Sequence, residues 1–212
     1  MGRADRVAII VAARSSSTRL LYKWKKVFGG APVWCHVHNA CINADVGPVI
    51  WAVPAGDPIL QHMIDEQILV IAGDEDNVLD RMCIAARASG ADHVIRITGD
   101  CPLMSPDLIR MMVKEHLDND NDFTTNCLPP RYPDGLDVEC VSVELLDTLL
   151  ARSNHRPDYR EHVTKEIYDR WGDYMVTHKL QAIHWTLPMG EKFSLDTEED
   201  LERINAHVAG TC

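Results

Sequence analysis

What most limits the fold open to this chain is the way two periodicities take turns along it. Short runs rich in β-branched residues, Val7 to Val11, Pro48 to Val53, Ile68 to Ala72 and His93 to Thr98, read as buried strands. Between them lie stretches of helical spacing. These are Val33 to Ala44 behind Pro32, a helix capped by Asp57 with Pro58 at its first position and reaching Glu66, Val78 to Ser89, and a helix opened by Ser105, Pro106 and Asp107. Strands and helices exchanging about every 25 residues describe a mostly parallel sheet covered on both faces, an α/β protein of three layers, α/β/α.

The rhythm breaks from Asn119 to Val141, where two short runs flank LPPRYPDGLD; paired prolines and a P-D-G turn make this an irregular excursion. Helices are then expected at Leu145 to Ser153 and Arg160 to Trp171, a late strand at His184 to Leu187, and a C-terminal helix from Thr197 to Val208. With no internal repeat and no long linker, residues 1–212 are expected to form one domain.

The first strand runs into AARSSSTRLLYKWKK, residues 12–26, where small hydroxyl residues stand among five cations, Arg14, Arg19, Lys23, Lys25 and Lys26, and no acid. Backbone N–H groups and hydroxyls leaving the carboxyl end of a strand suit phosphate oxygens, and the cations neutralise them; a basic, Ser-rich surface loop is the plainer alternative. The loop has neither the G-x-x-x-x-G-K-[ST] of a P-loop nor G-x-G-x-x-G.

Against a net charge of −11 this loop is a local basic island, and sequence-independent binding to nucleic acid is disfavoured. Seven cysteines without C-x-x-C spacing, behind an N-terminus with no apolar core, indicate reduced thiols and a cytoplasmic location. No apolar run is long enough for a membrane span, and the ten histidines include no H-E-x-x-H.

Two carboxylates complete the pattern. Asp100 follows the strand ending at Thr98, in Gly99-Asp100-Cys101-Pro102, where it can close a turn or face a ligand. Asp196, in FSLDTEEDLERI, can cap the last helix or do the same. A polyphosphate near two carboxylates is a common way to hold Mg²⁺, which would draw charge from an α-phosphate and stabilise leaving pyrophosphate.

The run ARSSSTRLLYK resembles A-R-x-x-S-T-R-L-P-G-K, the opening signature of cytidylyltransferases that make CMP-activated sugars, namely CMP-Kdo synthetases and SpsF-type spore-coat polysaccharide cytidylyltransferases, with CMP-sialic acid synthetases more distant. GDEDNVLDR at 73–81, ITGDCPL at 97–103, YPDGLDVE at 132–139, REHVT at 160–164 and LDTEEDLERI at 195–204 follow in the family's order. The resemblance implies a Rossmann-like, nucleotide-diphospho-sugar transferase type of fold and transfer of CMP from CTP to a small acidic acceptor such as a 2-keto sugar acid. It implies CTP binding by the loop of Ala12, Ala13, Arg14, Ser15, Arg19 and Lys23, with Gly99 alongside and Gly73, Asp76 and Arg81 on the cytidine side. Arg14, Lys23 and Asp100 would be catalytic, Asp100 and Asp196 would ligate Mg²⁺, and Asp134, Asp137, Glu139, Arg160 and His162 would face the acceptor. It also implies a homodimer, with the excursion contributing.

One departure stands out. Leu21-Tyr22 replaces the family's Pro-Gly, and bulky Trp24 follows Lys23, so the fixed φ of proline and the freedom of glycine that shape the family's loop are missing; Tyr22 and Trp24 can stack on a base, narrow the acceptor pocket, or mark a loss of ordinary CTP use. Competing readings are a phosphonate or other small acid as acceptor, a glycosyltransferase of similar fold, for which TGDCP lacks the D-x-D metal motif, and a non-catalytic nucleotide-binding homologue.

Overall fold

The computed structural model describes residues 5–129, 132–183 and 192–210. In chain order its elements are β1 (Val7–Ala12), β2 (Val27–Phe28), β3 (Ala31–Pro32), α1 (Val33–Ala44), β4 (Val49–Pro54), α2 (Pro58–Asp65), β5 (Val70–Gly73), α3 (Val78–Ser89) and β6 (His93–Thr98). There follow α4 (Pro106–Asp118), β7 (Phe123–Thr125), β8 (Glu139–Ser142), α5 (Val143–Arg152), α6 (Pro157–Glu161), α7 (Lys165–Asp169), α8 (Trp171–Tyr174), β9 (Leu180–Ala182) and α9 (Glu198–Gly210). Seven strands form one sheet in the order β5-β4-β1-β6-β8-β7-β9. All of its pairings are parallel except those of β8, which runs against both β6 and β7.

Period-two alternation along β1 divides the core. Ile9 and Val11 join a cluster with Val37 and Cys41 of α1, Ile59 of α2, Met112 of α4 and Ile204 of α9. Ile10 points to the other face, among Leu79 and Met82 of α3 and Leu145 and Leu149 of α5. Helices thus cover both faces of a mostly parallel sheet, as the alternation of apolar runs predicts.

Helix starts follow local chemistry. Asp57 accepts from Ile59 N, Asn77 from Asp80 N, Ser105 from Leu108 N and Ser142 from Leu145 N, satisfying amides that the first turn leaves orphaned.

Two expectations change, and one strand is added. The short runs of the 119–141 excursion do not stand apart; they are β7 and β8, inside the main sheet. The single helix expected over Arg160 to Trp171 is broken into α6, α7 and α8, because His162, Thr164 and Arg170 leave helical geometry. The β-branched pair Val163-Thr164 sits at the first break, buried, and Thr164 turns its hydroxyl onto Glu139 instead of continuing a helix. The strand expected at His184 to Leu187 lies outside the described residues, while β9, which was not expected, pairs with β7 at Leu180 to Ala182. Among the described residues no helix is long and apolar enough to cross a membrane.

Candidate active site

The carboxyl ends of β1 and β6 lie side by side and open into a cleft of ≈ 350 Å³. Gly99 N donates to Ala12 O at 2.9 Å, and a Cβ on Gly99 would come within 2.7 Å of the Ala13 Cβ, so only glycine lets the two strand ends abut. One rim of the cleft is the basic loop, with Ala12 to Arg14, Ser16 to Arg19, Lys23 and Trp24; the rest includes Arg81, Arg96, Thr98, Asp100, Glu161, His162 and Asp196.

The loop is pinned from beneath. Ser15 is buried and absent from the cleft wall. Its amide donates to Asp57 Oδ2 at 2.7 Å, its hydroxyl donates to Asp57 Oδ1, and it accepts from the Trp24 indole at 2.8 Å. Trp24, 1% exposed, packs on His62 with ring centroids 4.9 Å apart. It therefore anchors the loop from the buried side while its edge still contributes to the cleft wall. Tyr22 takes φ 52° and ψ 37°, the left-handed conformation that glycine adopts freely, so the Leu21-Tyr22 departure keeps a glycine-like turn before Lys23.

Lys23, at the head of a single 3₁₀ turn, reaches both expected acids. Its ammonium hydrogen-bonds to Asp100 Oδ2 and lies 3.4 Å from Asp196 Oδ1. The backbones carrying these acids are joined as well, since Leu195 N donates to Asp100 O at 2.9 Å. Asp196 also meets Arg19 at 3.1 Å and Lys192 at 2.8 Å. Burial pushes its carboxyl pKa up, but the Lys192 hydrogen bond and the charges of Lys23, Lys192 and Arg19 prevail, leaving it below the usual carboxylate range. Behind it, buried Asp200 accepts from the amides of Asp196 and Thr197 and pairs with Lys192 and Arg203. Burial raises its pKa too, but the bonds from Lys192 and Arg203 hold it far below normal.

Two carboxylates converging on one point are a donor set of the kind a hard divalent cation takes. Among the described residues no group of three or more His, Cys, Asp or Glu side chains is arranged to hold a metal, so an ion here would take further ligands from phosphate and water.

Arg14 pairs with Glu161 across the cleft mouth at 3.2 Å, and exposed His162 lies beside it. Buried Arg81 gives Nη1 to the carbonyls of Asp74 (2.5 Å) and Glu75 (2.9 Å), holding the turn after Gly73 while also lining the cleft. Burial, then the charge of Arg14, lowers its pKa. Asp76 is exposed and off the cleft wall; its amide donates to Asp74 Oδ1.

The residues expected to face the acceptor divide. Only His162 lines the cleft. Glu139 is buried on β8, accepting from Arg96 at 2.6 Å, from Thr164 at 2.7 Å and from Tyr168. Arg160 turns to Asn154, 3.3 Å away. Asp134 is exposed; its carbonyl accepts from Phe193 N (2.5 Å) and Ser194 N (3.0 Å). Asp137 is half-buried, its pKa pushed up to about 6 by burial and then by Asp134. Sequence reasoning missed Arg96, whose one signal was a charge in an otherwise apolar strand, HVIRIT, placed by alternation on the same side as Thr98. It also missed Asp57, Lys192 and Asp200, whose partners are distant in sequence or lie on the far side of the last helix cap.

Residues 8–207 match the profile of the cytidylyltransferase family. The chain belongs to that family. A cytidylyltransferase is a CTP-dependent nucleotidyltransferase, and the basic loop over a carboxylate pair is the part of this fold suited to a triphosphate. The cytidylyltransferase chain is 32% identical over 208 residues to the spore coat polysaccharide biosynthesis protein SpsF of Bacillus subtilis (strain 168), covering 94% of this chain and 85% of that one. It is 26% identical to the 3-deoxy-manno-octulosonate cytidylyltransferase of Methylorubrum extorquens (strain PA1), covering 95% and 84%. Its fold superposes on a cytidylyltransferase from Leptospira borgpetersenii with a TM-score of 0.88 at 23% identity, covering 97% and 87%.

Proposed function

We propose that this cytidylyltransferase transfers CMP from CTP to the oxygen of a small acidic acceptor, a 2-keto sugar acid, releasing pyrophosphate with Mg²⁺ bound at Asp100 and Asp196. The observation that carries this reading is the meeting of Lys23 with both carboxylates below a loop of hydroxyls and arginines. The names of the relatives, one a 3-deoxy-manno-octulosonate cytidylyltransferase, support the acceptor class. Bound Mg²⁺ would withdraw charge from the α-phosphate and steady the departing pyrophosphate.

The chain's own residues supply position and charge. Backbone N–H groups and hydroxyls of 16–18 donate to phosphate oxygens, while Arg14 and Arg19 exchange their carboxylate partners for phosphate. Lys23, released from Asp100 as the nucleotide enters, neutralises the charge that builds during transfer. Holding acceptor and CTP together in one cleft makes the attack effectively intramolecular. We further propose that the enzyme works as a homodimer in the cytoplasm; light scattering after size exclusion tests the first part.

The deciding experiment is pyrophosphate release from CTP and magnesium with a panel of 2-keto sugar acids and phosphonates, with Asp100→Asn as control. Release with an acid that Asp100→Asn abolishes supports the proposal; release with phosphonates alone, or none with any acceptor, overturns the acceptor class or the activity respectively.

A further inference from the structure

The cations on the phosphate side of the cleft all face acids or main-chain carbonyls at its surface: Arg14 faces Glu161, Arg19 and Lys23 face Asp196, and Arg81 holds two carbonyls. Arg96 differs. It rises from β6, on the side where β6 pairs with β8, in register with Glu139. It lines the cleft, yet its one acid partner is Glu139, 3% exposed, below it. That contact uses Nη1 alone. Its Nε is buried and unpartnered, as is that of Arg81, but Arg81 makes two bonds to main-chain carbonyls, whereas Arg96 makes a single hydrogen bond among the described residues. A buried donor without an acceptor is costly, and such a group in a native cleft calls for a ligand.

The guanidinium is also held in place. Glu139 Oε1 is taken by Thr164 Oγ1 at 2.7 Å and by the Tyr168 hydroxyl, which in turn meets Thr125 Oγ1 at 2.8 Å. The carboxylate beneath Arg96 is thus held by three side chains, those of Arg96, Thr164 and Tyr168. The Tyr168 hydroxyl pKa is driven up, first by burial and then by Glu139, so the tyrosine stays a donor. A flat fork of N–H groups, clamped from one side with donors left over, is the shape that complements a planar carboxylate.

We infer that Arg96 is the residue that binds the carboxylate of the acceptor, with Glu139 as its positioning residue. This rests on the acceptor class proposed above. It puts the acid end of the acceptor over β6 and β8, whereas Arg81 packs against Gly73 at the end of β5.

The test is separable from that of the reaction. Pyruvate, the smallest 2-keto acid, is the probe, and its methyl protons are observed by saturation-transfer NMR with and without CTP. The variants are Arg96→Lys, which keeps a charge against Glu139 and so protects folding, and Arg96→Gln. Glu139→Gln keeps the buried hydrogen bonds but releases the clamp. Native protein should give a saturable pyruvate signal. Arg96→Lys should weaken it by roughly 10- to 100-fold, the range for losing charged hydrogen bonds, with CTP affinity by tryptophan fluorescence unchanged. With a reacting sugar acid, both Arg96→Lys and Glu139→Gln should raise the acceptor KM with kcat largely kept, which mere loosening of the fold would not do. No saturable signal in native protein, an equal signal in Arg96→Lys, or a loss of CTP affinity in its place overturns the inference. If pyruvate binds through Arg96 but no acid yields pyrophosphate, the proposed reaction fails while this site stands.

Discussion

The indole N–H of Trp24 donates to the hydroxyl oxygen of Ser15 at 2.8 Å, closing the basic loop onto its own start from the buried side. Ser15 passes the restraint to Asp57, which also caps α2, so the loop is tied to a helix N-terminus. Trp24→Phe keeps most of the packing and loses this bond, and should cost about 1 kcal/mol. Trp24→Ala should cost about 3–5 kcal/mol through the cavity left behind. Urea unfolding measures both, and CTP affinity should fall further in the alanine variant because Lys23 is its neighbour in the same turn.

Tyr22 occupies a left-handed conformation at φ 52° while about half exposed. Tyr22→Gly relieves strain of about 1 kcal/mol but adds a similar amount of unfolded-state freedom, so stability should stay within about 0.5 kcal/mol of native. Tyr22→Ile, β-branched and intolerant of positive φ, should lose about 1–2 kcal/mol. Denaturant midpoints of the pair decide it, and pyrophosphate release should survive in the glycine variant.

Asp200 stands between Asp196 and two cations. Asp200→Asn keeps an acceptor for the amides of Asp196 and Thr197 but leaves Lys192 to pull harder on Asp196. The magnesium concentration for half-maximal rate should rise by about 10-fold, the lower range for groups that orient a metal ligand. A magnesium titration of initial rates is the measurement.

Stability should weaken in mild acid because of buried His116. His116 meets His93 Nδ1 and Thr124 Oγ1, each at 2.9 Å, and burial, then His93, pushes its pKa down to about 3. The unfolded chain takes up this proton near pH 6.5 and the folded one does not, so stability is full above about pH 6.5 and falls below it by up to about 1.4 kcal/mol per pH unit. Unfolding free energies measured between about pH 6.5 and 4.5, above most carboxylate titrations, should slope downward in native protein and less so in His116→Asn.

Much of this arrangement can be read from local chemistry. The apolar runs, the caps at Asp57 and Ser105 and the hydroxyl-rich loop after β1 are short-range signals, and Asp100 and Asp196 stand beside them at element ends. What escaped was decided at long range. Ser15 looks like a phosphate donor until Asp57, 42 residues away, claims it. Glu139 reads as an acceptor-facing acid until Arg96, Thr164 and Tyr168 enclose it. The helix expected through 160–171 breaks because Thr164 has a better use than a helical turn, and β9 has too few residues to show a period.

Gly135, at φ 102°, has the main chain of Phe193 and Ser194 directly where a side chain would begin. Gly135→Ala should therefore lower both stability and turnover, measured by thermal unfolding and pyrophosphate release, since the added methyl must displace the strand of backbone leading to Asp196. The Asp134 carbonyl receives two amides from the same stretch, so the turn and that stretch behave as one rigid jig. Lineages that remodel this turn to suit a new sugar would disturb the far end of the catalytic machinery at the same stroke. Retuning of specificity should for that reason be easier around β6 and β8 than in the Pro-Asp-Gly turn.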